Sequence, residues 1–153
     1  MSKKYKIITR GKNKGRIRAL RSFGNVKRGD LGGFVEKEEN LSHEGNCWVF
    51  DNAKVFGNAE VSGNAEISYT AWVYGNAKVS ENAMVYGDAK VFGDAKVYGD
   101  AHVSGNAEVY GHARVCGDAW VFGDAEIFGD ASVSGNDEVC GDASVEPSKG
   151  EKS

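Results

Sequence analysis

Three histidines and three cysteines are the side chains of this 153-residue sequence best suited to catalysis or metal binding. His112 stands in Tyr110-Gly111-His112-Ala113, where neighbouring segments carry Asn or Asp, so it is the best candidate for a general base. His43 and His102 do not fall at the same edge of the repeat as His112, and no Cys pair has zinc-finger spacing. We therefore predict no metal and no cofactor.

The cysteines favour a reducing compartment. Cys47 occupies an inward position of the repeat, whereas Cys116 and Cys140 fall on different outward faces. Since no pair is placed to bridge within one coil, we expect free thiols and a cytosolic protein of a bacterial or phage-infected cell. No apolar run approaches the length of a membrane span, and no hydrophobic signal region follows Lys3 and Lys4, so no membrane partner is expected.

A strict six-residue repeat must position these side chains. Seventeen aliphatic residues, fifteen of them valine, stand six apart from Val49 to Val145. Around them runs the pattern V-x-G-[N/D]-A-x. Fifteen of its sixteen small inward positions between residues 53 and 143 are Ala, and the exception is Asp137. A fixed period in the sequence indicates a fixed structural unit in space.

Each hexad is typical of a short strand followed by a corner. In Ala-x-Val, the Ala and Val point to one side and x points to the other, and the Gly-Asn or Gly-Asp pair favours positive φ. Three hexads close a triangular coil of eighteen residues. The sequence therefore predicts an all-β fold, a single-stranded left-handed parallel β-helix of about six coils with an N-terminal β-hairpin cap.

Three regions are predicted along the chain. Residues 1–42 form a basic cap and loop, and residues 43–146 form the hexapeptide-repeat β-helix. Residues 147–153 are expected to be a disordered polar tail.

Within the cap, we predict a hairpin and then a loop. Its arms are Tyr5 to Thr9 and Arg16 to Phe23, and the loop over residues 29–42 contains Gly32 and Gly33. The hairpin is expected to cover the exposed sheet edge of the first coil.

Outward residues recur every eighteen positions and so divide into three faces. One face carries Trp72 beside a column of aromatic residues: Phe56, Tyr74, Phe92, Tyr110 and Phe128. A second face carries scattered aromatic and large residues: Trp48, Phe50, Met84, Tyr86, Trp120 and Phe122. The third face is polar. Because large apolar patches rarely stay exposed, we predict that a partner or another copy covers one or both aromatic faces, with the interface residues in the aromatic column and at Trp72. A ladder of rings stacked within the chain is the alternative.

The charge is divided unevenly along the chain. Residues 1–28 hold eleven Lys or Arg and no acid, whereas residues 29–153 hold eight basic and twenty-two acidic residues. The basic cap has two interpretations: a solvated cap that deters edge pairing, or a site for nucleic acid, a nucleotide or an acidic partner. The residues proposed for that site are Lys12, Lys14, Arg16, Arg18 and Arg21.

Aspartates at the corners could form an acidic edge. They are solvated turn residues in the simpler interpretation, and in the other they imitate DNA phosphates and block a nucleic-acid-binding protein. The residues of this predicted edge are Asp88, Asp94, Asp100, Asp118, Asp124 and Asp130.

The first part of the chain resembles the start of YdcK-type hexapeptide β-helix proteins. The similarity lies in Phe23-Gly24-Asn25-Val26-Lys27, Gly32-Gly33-Phe34-Val35, Asn40-Leu41-Ser42 and Gly45-Asn46-Cys47-Trp48. This resemblance implies a β-helix fold, an acyltransferase-like superfamily and a phage or prophage lineage. It also implies a homo-oligomer, for which a trimer is favoured.

The preferred function is a non-enzymatic binding or assembly module that uses its aromatic faces for oligomer or partner contact. One version is a phage-encoded inhibitor of a host defence or nucleic-acid-binding protein. The alternative is a CoA-dependent acyltransferase with His112 as base. Because no hexad carries an insertion, the faces should be shallow, which counts against an enclosed active site.

Overall fold

The structure, a computed structural model, describes residues 3–141 and 143–145. It confirms the predicted all-β parallel β-helix of about six turns. The tail predicted for residues 147–153 lies outside the described residues.

Three longer strands come first, followed by short strands at a constant spacing. The cap contains β1 (Tyr5–Ile7), β2 (Arg16–Ala19), β3 (Leu31–Val35) and a 3-10 helix (Glu38–Asn40). The two-residue strands then stand six residues apart: β4 (Trp48–Val49), β5 (Lys54–Val55), β6 (Glu60–Val61), β7 (Glu66–Ile67), β8 (Trp72–Val73), β9 (Lys78–Val79), β10 (Met84–Val85), β11 (Lys90–Val91), β12 (Lys96–Val97), β13 (His102–Val103), β14 (Glu108–Val109), β15 (Arg114–Val115), β16 (Trp120–Val121), β17 (Glu126–Ile127), β18 (Ser132–Val133), β19 (Glu138–Val139) and β20 (Ser144–Val145).

These strands form three flat sheets, one on each side of the triangular coil. The nine-strand face runs β1-β2-β3-β5-β8-β11-β14-β17-β20, the six-strand face runs β4-β7-β10-β13-β16-β19, and the five-strand face runs β6-β9-β12-β15-β18. Beyond the cap all pairs are parallel, and each strand pairs with the strand eighteen residues later. Every outward residue therefore lies directly above its counterpart in the preceding coil.

Inward Val and Ala residues fill the interior as the repeat predicts. From Ala53 to Ile127 every inward residue of the repeat is at most 1 % exposed. Each buried Val contributes on the order of 1.5 kcal/mol, and the core is stabilised by contacts between successive coils. Exposure rises at the C-terminal end of the described chain, where Asp137 is exposed and Val139 is only partly buried.

The prediction of a loop over residues 29–42 is wrong for Leu31–Val35, which is strand β3 and pairs in parallel with β5. Gly32 and Gly33 are strand residues that allow close contact between backbones. A Cβ at Gly32 would lie 2.6 Å from the Val49 carbonyl oxygen, and one at Gly33 would lie 2.5 Å from that of Ala53. The parallel stack therefore begins before the first hexad of the sequence pattern.

The hairpin cap is confirmed and closes the first coil. Strands β1 and β2 pair antiparallel, and β2 then pairs antiparallel with β3. The buried Tyr5 hydroxyl donates to the Leu41 carbonyl at 2.7 Å, and its ring stacks on His43 with centroids 4.2 Å apart. Burial raises the pKa of Tyr5, so this hydroxyl stays protonated. The cap therefore forms one continuous core with the β-helix.

Candidate functional site

The nine-strand face carries a continuous aromatic column. It consists of the residues that follow the inward aliphatic residues of this face from Val55 to Ile127: Phe56, Tyr74, Phe92, Tyr110 and Phe128. Successive ring centroids are 4.9, 5.0, 4.9 and 5.5 Å apart, and the ring planes differ by 1°, 6°, 4° and 12°. This spacing follows from the distance of about 4.8 Å between paired strands. The rings therefore form the stacked ladder within the chain that was one of the two interpretations, and they also remain partly exposed.

Stacking determines which part of each ring a partner can reach. The face of every inner ring is covered by the rings above and below it, so the edges are what solvent meets. Nucleic-acid bases and sugars bind aromatic residues through ring faces, and such binding is not available along the column. A flat row of ring edges suits packing against another flat apolar surface.

A second column on the same face alternates cations with aromatic rings. We name it the cation–π ribbon, and its residues are Arg16, Phe34, Lys54, Trp72 and Lys90. The Arg16 guanidinium lies 4.4 Å from the Phe34 centroid, and the Lys54 ammonium lies 5.3 Å from Phe34 and 5.7 Å from Trp72. The Lys90 ammonium lies 5.4 Å from Trp72 on its other side. Each such contact contributes about 0.5–1 kcal/mol at an exposed site.

Trp72 joins the ribbon to the aromatic column. Its ring meets Phe56 and Tyr74 edge-on, at centroid distances of 5.9 and 6.2 Å. It is 36 % exposed, which is high for a side chain of this size and apolarity. The predicted interface residues therefore form one continuous surface with the ribbon.

Beyond Lys90, the column that contains the ribbon continues with acidic residues towards the C-terminal end of the face. Glu108 pairs in register with Lys90, and Glu126 follows Glu108. The Tyr110 hydroxyl donates to Glu126 at 3.3 Å. Burial first, and then the charge of Glu126, raises the pKa of Tyr110, so that this hydroxyl is protonated at neutral pH. The column that contains the ribbon is thus basic at the end near the cap and acidic at the other.

His112 lies at a corner, in an open groove of about 350 Å³. Its Nδ1 is 3.5 Å from an Asp94 carboxylate oxygen, and its side chain is 68 % exposed. Three stacked cations of the five-strand face, Lys78, Lys96 and Arg114, line the same groove. The groove could hold an anion near the histidine, but nothing encloses a reacting group there.

The other two histidines lie elsewhere, as predicted. His43 belongs to the cap, where its Nε2 is 3.2 Å from Glu38. His102 lies on the six-strand face, between Tyr86 and Trp120. Among residues 3–141 and 143–145, no three His, Cys, Asp or Glu side chains are grouped as metal ligands.

The six-strand face lacks a continuous column. Phe50, Tyr86 and Phe122 alternate there with Ser68 and Ser104. Trp48 is not exposed on this face, although the sequence predicts that it points outward. Trp48 is 1 % exposed because Tyr5 and Phe23 of the cap pack against it, at centroid distances of 6.2 and 5.3 Å.

The proposed anion-binding residues of the cap fall into two groups. The guanidinium groups of Arg16, Arg18 and Arg21 donate to main-chain carbonyls of Asp51 at 2.8 Å, Gly29 at 2.9 Å and His43 at 3.2 Å, respectively. Lys12 and Lys14 are exposed at the hairpin turn. A groove of about 480 Å³ is lined by residues 6–13 and Arg18.

The aspartates predicted to form an acidic edge are divided among three corners. Each corner holds two of them, because the coil repeats every eighteen residues: Asp94 with Asp130, Asp100 with Asp118, and Asp88 with Asp124. Several also accept a hydrogen bond from the preceding coil, as Asp94 does from Asn76 at 3.2 Å and Asp100 from Asn82 at 3.1 Å. These six aspartates therefore do not share one corner, and the corners form Asn–Asp ladders between coils.

A buried lysine is the feature of the cap that the sequence did not reveal. Lys4 is fully buried, and its ammonium donates to the Cys47 carbonyl at 2.8 Å and to the Gly45 carbonyl at 3.3 Å. It also lies 3.4 Å from the Cys47 sulfur and 4.8 Å from the Phe23 ring centroid. Burial lowers the pKa of Lys4 and raises that of Cys47, and each group opposes the shift of the other. Lys4 thus satisfies carbonyls that the first coil leaves unpaired.

All three cysteines are free thiols. No helix in the described part of the chain is long and apolar enough to cross a membrane. The sequence matches no protein-family model and no curated protein. The function must therefore be inferred from the geometry of the chain itself.

Proposed function

We propose that this chain is a non-enzymatic, self-associating β-helix module of the hexapeptide-repeat, YdcK-like type. Its interface is the nine-strand face, with the aromatic column at the centre and the cation–π ribbon beside it. The observation that carries the proposal is the unbroken aromatic column, whose rings are in register and partly exposed over five coils.

Flatness supports this function over catalysis. From β4 to β20 the strands keep one spacing and no hexad carries an insertion, so no loop rises beside the column. Such a face offers a large contact area and no enclosed, dry pocket. Specific interfaces are rich in aromatic residues at their centre, and the aromatic column gives this face that feature.

Two glutamates in the column should abolish the association. In Tyr74→Glu/Tyr110→Glu, each substitution removes a ring edge from the interface and adds a charge that must lose its water. We expect the association constant to fall by at least about a hundredfold, since each buried ring contributes on the order of 2 kcal/mol. Light scattering coupled to gel filtration, from micromolar to millimolar concentration, measures the change in mass.

The matched control is Ser68→Glu/Ser104→Glu, which places the same charges in the same two coils at the equivalent positions of the six-strand face. This variant should keep the mass of the wild type. A wild type that stays monomeric at every concentration would overturn self-association, and the face would then be left for a foreign protein, such as the target of a phage-encoded inhibitor. An association that survives the glutamates in the column would place the interface elsewhere.

The His112 groove supports a second candidate, a CoA-dependent acyltransferase. Lys78, Lys96 and Arg114 lie beside His112, and three cations in a row suit the phosphates of CoA. This candidate predicts that acetyl-CoA binds in a calorimetric titration, that Lys96→Glu abolishes the binding, and that His112→Ala abolishes acetyl transfer while His102→Ala preserves it. Absence of acetyl-CoA binding by the wild type at millimolar concentration would dismiss it.

A further inference from the structure

We infer that two copies of the chain pair through their nine-strand faces with the β-helix axes antiparallel. This inference rests on the proposed self-association and adds its geometry, the number of copies and their relative direction. It is drawn from the charges along the face.

The charges in the column of the cation–π ribbon are sorted by position. Arg16 and Lys54 lie near the cap, Lys90 lies in the middle layer beside Phe92, and Glu108 and Glu126 lie beyond it. In the neighbouring ring column, Glu36 stands one coil before Phe56, and its carboxylate accepts a hydrogen bond from the Gly57 N–H at 2.8 Å. Among the residues that the structure describes, the salt bridges are formed by Lys3, His43 and His112, and none involves the five charges of the ribbon's column. The lysines contact ring faces instead, and the two glutamates are stacked next to each other.

Stacking two like charges in register is unfavourable within one chain. Glu108 and Glu126 would be stabilised by positive charge from outside the chain, and Lys54 and Lys90 by negative charge. A second copy supplies both if it is turned end to end. The same face of the chain is then complementary to itself.

Symmetry distinguishes this pairing from its competitors. In a two-fold pair with antiparallel axes centred on Phe92, Lys54 of each copy faces Glu126 of the other, so this favourable contact occurs twice, and the middle-layer Lys90 faces its own counterpart. In a parallel pair, or in a ring of three copies around an axis parallel to the β-helix, lysines meet lysines and glutamates meet glutamates. The sorted charges therefore favour the antiparallel dimer over the parallel trimer.

The aromatic column is compatible with this reversal. Its five rings occupy equally spaced layers with Phe92 in the middle, so turning the column end to end places rings against rings. The apolar contacts thus supply affinity in either direction, and the charges select the direction.

Charge reversal tests the direction. The acidic variant is Lys54→Glu/Lys90→Glu, the basic variant is Glu108→Lys/Glu126→Lys, and the swapped variant carries all four substitutions. In the antiparallel dimer, the acidic and basic variants each place like charges face to face, so we expect the dimer Kd to rise at least about tenfold. The swapped variant should dimerise like the wild type, and an equimolar mixture of the acidic and basic variants should form a heterodimer.

The swapped variant also serves as the control for folding and for the lost cation–π contacts. It lacks Lys54 and Lys90 as the acidic variant does, so loss of the ribbon alone would weaken both equally. Sedimentation equilibrium at low and high salt measures each Kd, and salt should weaken the wild-type dimer and strengthen the acidic one.

The outcomes separate this inference from the proposed function. A wild-type trimer, or acidic and basic variants that associate as tightly as the wild type, would overturn the antiparallel pairing and leave self-association through the aromatic column intact. A swapped variant that remains monomeric would also overturn it. A monomeric wild type would overturn both the antiparallel pairing and the proposed self-association.

Discussion

An Ala119→Asp substitution is expected to lower the free energy of unfolding by about 4 kcal/mol or more, because an unpaired carboxyl would be buried in the core. Ala119 is fully buried in the inward column. Its own N–H is bonded to the Cys116 carbonyl, and the next N–H, that of Trp120, is bonded to the Asp137 carbonyl. No donor is therefore left for the new carboxylate. Urea denaturation followed by circular dichroism measures the loss.

The neighbouring coil provides the control. Asp137 stands eighteen residues after Ala119 in the same inward column, but it is exposed. Asp137→Ala should therefore change the free energy of unfolding by no more than about 0.5 kcal/mol, as surface substitutions do. If Ala119→Asp were as mild as Asp137→Ala, the inward column would not be a dry core. The explanation of the repeat would then fail.

The fold could be predicted because a single period specifies both strand and corner. With Val at every sixth position and Ala two residues before it, a single arrangement of strands and corners buries both residues. The structure buries both from Ala53 to Ile127. The aromatic column follows from the same period, since residues eighteen apart must be stacked. No tertiary information was needed for either.

The cap could not be predicted in the same way because it lies outside the period. Phe34 stands twenty residues before Lys54, not eighteen, so the repeat does not show that the two are paired. Arg16 reaches Phe34 only through an antiparallel hairpin. Lys4 is one of the eleven basic residues of residues 1–28, yet it is buried, and its ammonium donates to carbonyls of the first coil. The cation–π ribbon could not be predicted because two of its residues, Arg16 and Phe34, belong to the cap.

The site was predicted in part. The ring positions follow from the repeat, but the sign change along the face appears only when Arg16 and Lys54 are placed in the same column as Glu108 and Glu126. Counts of charge along the sequence do not show this sign change, because they compare the N-terminal segment with the rest of the chain. The polarity that matters for pairing lies within one face.

A Gly117→Ala substitution is expected to lower the free energy of unfolding by about 3 kcal/mol, through two separate effects. Gly117 has φ +65°, a conformation that costs a residue with a Cβ about 1–2 kcal/mol. In addition, the new Cβ would lie 2.8 Å from the Gly135 nitrogen and 3.1 Å from its carbonyl oxygen in the next coil. Both atoms belong to stacked backbone, which cannot move without separating the coils.

Gly135 separates the two effects because it occupies the same corner one coil later. Its φ is +61°, but a Cβ there would have no atom within 4 Å. Gly135→Ala should therefore show only the conformational cost of about 1–2 kcal/mol, and the difference between the two variants measures the contact between coils. Thermal and urea denaturation of both variants give this difference. Equal losses would mean that the corners can spread without cost, and the coil spacing that aligns the rings of the aromatic column would then not be fixed by the glycines.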